Sequence, residues 1–235
     1  MNLILVAEDD FVSLTRARLT GRRLAYVRQV HRAEVGDTLR VGQLNGLVGT
    51  GLVTALGDDA LELEISLERP PPPPARARVL LALPRPKALR RVLQCLAAMG
   101  VKDIVLFNTW RVEKSFWRSP ALMPEALREQ LWLGLEQGGD TVLPVISTRR
   151  RFRPFVEDEL PALARGSLAL VAHPTAEQPC PRASGAPLTL AVGPEGGFIA
   201  YELDALRAAG CAAVSLGPRP LRVEHAVPAL LGRLL

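Results

Sequence analysis

Residues 188–204 read LTLAVGPEGGFIAYELD: an apolar run meets Gly193-Pro194-Glu195-Gly196-Gly197, and a helical pattern follows. Glycine lets backbone approach a ligand closely and adopt positive φ. Proline sets the turn, and the free N–H groups of a helix starting near Ile199 face the same region. A ligand loop and a tight structural turn would both use these residues. No lysine follows as a phosphate-binding P-loop requires, and the dinucleotide fingerprint has a different spacing and an early position. Two further segments bear on the choice. CAAVSLGPRPLRVEHA (211–226) ends an apolar run in a second Gly-Pro turn and then supplies Arg219, Arg222, Glu224 and His225. LVAHPTAE (170–177) supplies His173-Pro174 at a third. In parallel α/β sheets ligands bind beyond the carboxyl ends of the strands. Three consecutive strand ends with turn chemistry therefore define a candidate site along one sheet edge.

The elements that must position these loops divide at ERPPPPPARAR, where Pro70–Pro74 are consecutive. Such a run lacks backbone donors and prefers a stiff extended form, so it reads as a spacer. The expected division is a small domain over 1–69, a linker over 70–76 and a larger domain over 77–235. Before the prolines, segments 35–41, 47–56 and 60–66 alternate apolar and polar residues between Gly- or Asp-containing breaks, which predicts short strands of a small β-barrel. A helix is expected over 22–32. After the prolines, strands alternate with helices. ARVLLALP (77–84) and DIVLF (103–107) read as buried strands, and Leu89, Val92, Leu93 and Leu96 recur at helical spacing before Gly100. Further alternation to the C-terminus predicts an α/β domain with a mainly parallel sheet.

The 235 residues are 48% hydrophobic and 23% charged, which suits a globular protein with a core. The apolar runs are short of a membrane span. The start, MNLILVAEDD, turns acidic too early for a signal peptide, so a cytosolic location is expected. Cys95, Cys180 and Cys211 are odd in number and scattered, against a disulfide framework or a structural zinc site, and are read as small core residues. Net charge is +5; residues 1–69 carry −2 and residues 70–235 carry +7. Within the first part Arg16, Arg18, Arg22, Arg23, Arg28, Arg32 and Arg40 crowd together, while acids gather from Asp58 to Glu68. A segregated basic face suits a polyanion such as RNA; an ordinary solvated face is the equal alternative.

The series LVAHP, VGPEGGF and SLGPRPLRVEHA, in that order, resembles the ribosomal small-subunit methyltransferase E family, of the SPOUT or trefoil-knot class of S-adenosylmethionine-dependent RNA methyltransferases. LEQGGDTVLPVI (135–146) is similar to that family's helix-to-strand segment, and RRLAYVRQVHRAEVGDTLRVGQLNG (22–46) to its PUA-like RNA-binding barrel. The resemblance implies a C-terminal knot whose loops hold S-adenosylmethionine, with His173, Gly193, Glu195, Gly196, Gly197, Leu216, Gly217 and Leu221 around it. It implies methylation of N3 of a uridine in small-subunit (16S) ribosomal RNA, with no metal and as a homodimer. Arg222 would donate to a uracil carbonyl, and Glu224 would orient or accept the proton; the alternative is a local Arg222–Glu224 ion pair. Arg219 would contact phosphate, and Arg22, Arg23, Arg28, Arg32 and Arg111 are the other expected RNA contacts.

Several positions depart from the family pattern. Its usual LRTET stands here as Leu221-Arg222-Val223-Glu224-His225, which removes two hydroxyls. QCLAAMGV (94–101) lacks a Lys and a Glu, and Thr109-Trp110 replace a Glu-Arg pair. Pro228 falls in the last expected helix, where only the first turn tolerates proline. An RNA-binding protein that keeps the cofactor pocket without turnover, or a methyltransferase for another RNA site, is the alternative. A nicotinamide oxidoreductase lacks its early glycine fingerprint. FNTWRVEKSFWRSP (107–120) interleaves Trp110, Phe116 and Trp117 with Arg111, Lys114 and Arg118, either to stack an RNA base or to pack on protein. TRRRFRP (148–154) is a further candidate RNA contact.

Overall fold

The computed structural model describes residues 2–235; residue 1, the first of the expected barrel segment, lies outside the described residues. The chain divides into two compact units, Met1–Pro73 with Trp132–Leu143 and Pro74–Leu131 with Pro144–Leu235.

In the first unit β1 (Ile4–Val6), β2 (Arg16–Leu19), β3 (Thr38–Gln43), β4 (Val48–Leu56) and β5 (Leu61–Arg69) form a mixed sheet in the order β1-β3-β4-β5-β2. β1 pairs parallel with β3, and the remaining pairs are antiparallel. Alternation in β3 to β5 sends Leu39, Val41, Val53, Leu61, Leu63 and Ile65 into one core. Helix α1 (Gly21–Tyr26) continues as a π turn over Val27–His31 and adds Leu24 and Val27 to that core. The expected small β-barrel is an open, curled half-barrel: β1 and β2 are its two edges, with no ladder between them among the described residues. Neither edge strand was foreseen, because three or four residues are too few for alternation to register.

The second unit carries β6 (Ala77–Ala82), α2 (Pro86–Ala98), β7 (Asp103–Phe107), α3 (Pro124–Gly138) and β8 (Val145–Arg149). Next, α4 (Phe152–Pro154) runs through a π turn into α5 (Leu160–Leu163). Then come β9 (Leu168–Ala172), β10 (Leu188–Val192), α6 (Ala200–Ala208), β11 (Ala212–Val214) and α7 (Val223–Leu234). Six parallel strands lie in the order β11-β9-β10-β6-β7-β8. All five residues of β10 are buried, as expected of a central parallel strand covered on both faces. α2 starts with Pro86, whose missing N–H costs nothing in the first turn. It buries Leu89, Val92, Leu93 and Leu96 as their spacing predicts. Among the described residues no helix is long and apolar enough to cross a membrane.

α7 begins at Val223, so Pro228 stands in its second turn, past the positions that tolerate proline. It leaves the carbonyl of Glu224 without an i+4 donor. Helix α3 is not confined to the parallel-sheet unit. From Trp132 onward it belongs with the half-barrel, where the Glu136 carbonyl accepts the Asn2 and Leu3 N–H groups at 2.9 and 3.0 Å.

Candidate functional site

The parallel register brings the three suspected loops to one level. Val192 of β10 and Val214 of β11 both pair with Ala172 of β9, so the chain leaves all three strands at the same height. The loops that follow wall a cavity of about 420 Å³. His173, Gly193, Glu195, Gly196, Gly197, Leu216, Gly217 and Leu221 all line it, with Arg111, Arg219 and Arg222. Val223, Ala226 and Leu230, one stripe of α7, make its apolar wall.

The GPEGG segment is a hydrogen-bonded turn, with the Gly197 N–H donating to the Pro194 carbonyl at 2.8 Å. Gly197 has φ +71°, a conformation side chains disfavour. At Gly196 an added Cβ would stand 2.9 Å from Cδ and 3.2 Å from Cβ of Arg111, whose guanidinium donates to the Gly196 carbonyl. A side chain at Gly196 would therefore have to displace the arginine stem lying on it. In the third loop Ser215 Oγ accepts the Gly217 N–H at 3.0 Å and fixes the turn before Arg219.

Glu195 points out of the turn to a fourth strand end. Its Oε1 accepts the backbone N–H of Arg85 at 3.1 Å, at the start of α2. The Arg85 guanidinium spans two acids: Nε lies 3.6 Å from Glu195 Oε1 and an Nη 3.6 Å from Glu224 Oε1. Sequence reasoning missed Arg85. The signal was its place in LPRPK, just beyond β6 and so on the same sheet edge.

Glu224 is buried and is not among the lining residues. Its partners are Arg85 and, at 3.9 Å, Arg91; the alternative Arg222–Glu224 ion pair does not form among the described residues. Hydrogen bonding from its own backbone N–H holds the carboxyl below its ordinary range. Burial opposes this, and the Arg85, His225 and Arg222 charges assist it. Arg219 and Arg222 are exposed, and their guanidinium groups make no hydrogen bond or ion pair among the described residues; the Arg222 carbonyl accepts the His225 and Ala226 N–H groups, each at 2.8 Å. His173 is pushed down chiefly by burial; a hydrogen bond with the Phe198 backbone opposes this, the Arg207 and Arg111 charges add to it, and its Nδ1 lies 2.9 Å from Thr175 Oγ1. Val223 replaces a hydroxyl with apolar wall, and His225 faces solvent.

The N-terminal arginines are arranged otherwise. Arg22 pairs with Glu136 at 2.7 Å, and Arg28 with Asp58 at 3.1 Å. Arg23 is bidentate to Asp10 at 2.5 and 2.7 Å and lies over the Trp132 ring. Arg32 is exposed with φ 52°. Pairing of β2 with β5 also sets Arg16 and Arg18 opposite Glu64 and Glu62. Folding thus interleaves charges that lie apart in sequence. In the 107–120 segment Trp117 donates to Asn108 Oδ1 at 2.8 Å beneath the Arg150 guanidinium, whereas Trp110 is 80% exposed. All three cysteines are free, and burial pushes the Cys211 thiol up to about 11.

The RNA methyltransferase domain family matches residues 71–235. Ribosomal RNA small subunit methyltransferase E of Treponema pallidum is 26% identical over 232 residues, covering 96% of this chain and 87% of that protein. Among solved structures, ribosomal RNA small subunit methyltransferase E of Neisseria gonorrhoeae bound to S-adenosyl methionine superposes with a TM-score of 0.72 at 19% identity. The match covers 99% of this chain and 95% of that one. A Legionella pneumophila protein in complex with the bound cofactor SAM gives 0.73 at 22%, covering 98% and 95%. At these identities the superpositions establish a shared fold.

Proposed function

Because this chain belongs to the RNA methyltransferase family through residues 71–235, we propose that it transfers the methyl group of S-adenosylmethionine to N3 of a uridine in small-subunit (16S) ribosomal RNA. The observation that carries the reading is the convergence of three strand-end loops on one cavity, one of them a glycine turn on which the Arg111 stem lies. The cavity's size is within the usual range for small-molecule sites, roughly 300–1,000 Å³. Its lining also suits the cofactor: apolar walls from Leu216, Leu221 and Val223 suit an adenine ring, and loop backbone can reach its polar edges. The two similar small-subunit methyltransferase E proteins, one of them solved with S-adenosyl methionine bound, support the same choice.

S-adenosylmethionine supplies a methyl group already activated on a sulfonium. The protein has to align the uracil and manage its N3 proton. Arg222, unpaired at the cavity, donates to a uracil carbonyl and stabilises negative charge spreading from N3. Arg219 holds a flanking phosphate. Arg111 supports the Gly196 turn from outside the ring of loops. Glu224, turned to Arg85, acts by orienting, because its carboxylate is not at the cavity surface. We extend the reading to the trefoil threading of β9–α7, a PUA-like half-barrel, a homodimer and a cytoplasmic location with the ribosome. Support for the threading is that β10 lies between β9 and β6 while the chain continues to β11 on the far side of β9.

The test is methyl transfer from labelled S-adenosylmethionine to small subunits lacking the modification, followed by nuclease digestion and mass mapping. A single N3-methyluridine is expected. Cofactor binding without transfer would favour the RNA-binding reading, and a methyl group elsewhere a different RNA site. The lost hydroxyls at Val223 and His225 are the observation that keeps both in view.

A further inference from the structure

Trp110 follows the buried Thr109 just beyond β7, and the residue is 80% exposed. Its backbone is not free. The Trp110 N–H donates to Oε1 of Glu202 at 2.6 Å, and Glu202 is buried, its Oε2 taken by the Ile199 N–H at 3.1 Å. The Val112 N–H closes a turn onto the Thr109 carbonyl at 3.1 Å. Arg111, the next residue, lies on Gly196 and lines the cavity. One buried carboxylate thus fixes both the helix after the glycine turn and the position of the tryptophan. Trp117 in the same segment has its indole N–H and one face occupied. Among the described residues no ring or cation lies against the Trp110 indole.

A large apolar ring held out to water on a pinned turn, beside a cavity rimmed by the unpaired Arg219 and Arg222, fits a base between phosphates. Chemistry on a base edge requires that the base leave its stack. We propose that Trp110 is the positioning residue that stacks on the extruded target base and holds it at the cavity mouth. The inference rests on the methyl-transfer reading. It goes beyond the resemblance, since the family pattern has no tryptophan here.

The test compares the full-length protein with Trp110→Ala and Trp110→Phe. Binding of a labelled uridine-containing single-stranded RNA is followed by anisotropy. Methyl transfer to small subunits, S-adenosylmethionine affinity by calorimetry and mass by sedimentation are measured alongside. Trp110→Ala is expected to weaken RNA binding and raise KM for the subunit about 10- to 100-fold, leaving cofactor affinity and mass unchanged. Trp110→Phe should recover most of the loss. Unchanged RNA binding in Trp110→Ala overturns the proposal. So does an equal loss in Trp110→Phe, or a fall in mass, which would assign the ring to a protein interface. If the wild-type protein binds RNA but transfers no methyl group, the parent reading fails, while the anisotropy comparison still decides the role of Trp110.

Discussion

Adjacent glycines in the turn at 193–197 are glycine for different reasons, and substitution separates them. Gly196→Val places a branched side chain against the Arg111 stem and should abolish S-adenosylmethionine binding in calorimetry. Unchanged affinity would remove the turn from the site. Gly197→Ala meets nothing within 4 Å but must hold φ +71°. It should leave binding intact and cost about 1–2 kcal/mol of stability, seen as a lower Tm. The sequence alone named the turn but gave filled ligand space as the reason; the arginine that lies on it comes from 85 residues earlier and left no local trace. His173 gives a pH signature. Its folded pKa is below the ordinary 6.5, so the unfolded chain takes up the proton first as pH falls. The stability it contributes is present above about 6.5 and is lost as pH drops through the lowered folded value. His173→Gln should flatten the acid limb of stability below about pH 6.5, and an unaltered limb would assign that slope to other groups.

Among elements, those of the parallel-sheet unit were the most legible, because a buried strand such as DIVLF and an amphipathic stripe such as Leu89 to Leu96 each write their period locally. The short edge strands β1 and β2 are specified by pairing partners 30 or more residues away, β1 with β3 and β2 with β5, which no local period encodes. At the site, the three loops were legible because each carries Gly-Pro or His-Pro chemistry. Arg85 was not, since its role comes from standing between Glu195 and Glu224. α7 departs from what its sequence favours. Pro228 in its second turn forgoes the bond to the Glu224 carbonyl. Pro228→Ala restores that donor and should raise stability by about 1–3 kcal/mol, measured by thermal denaturation. A lower Tm would mean that the ring's rigidity outweighs the missing bond.

For the whole molecule, the charge reading changed most. Segregation of arginines in the first 69 residues is a property of the sequence; in the fold Arg22, Arg23 and Arg28 are each paired with an acid. The unpaired Arg219 and Arg222 side chains lie instead in residues 70–235, which carry +7. The proline run likewise reads as a division between units, yet residues 132–143, far beyond it, complete the half-barrel. A fragment of residues 74–235 would therefore present Trp132, Leu135 and the buried Glu136 without the groups they meet in the first unit. It should melt well below the intact chain or precipitate, and an undiminished Tm would show that these residues find cover elsewhere. The same split segment bears on the order in which the protein is made. At roughly 5–20 residues per second, about 4–14 s separate the appearance of Pro73 from that of Leu143. Throughout that interval β1 to β5 wait on the ribosome for the end of α3 while β6, α2 and β7 emerge behind them. The half-barrel is begun first in translation, but it cannot be completed until the second unit is already under way.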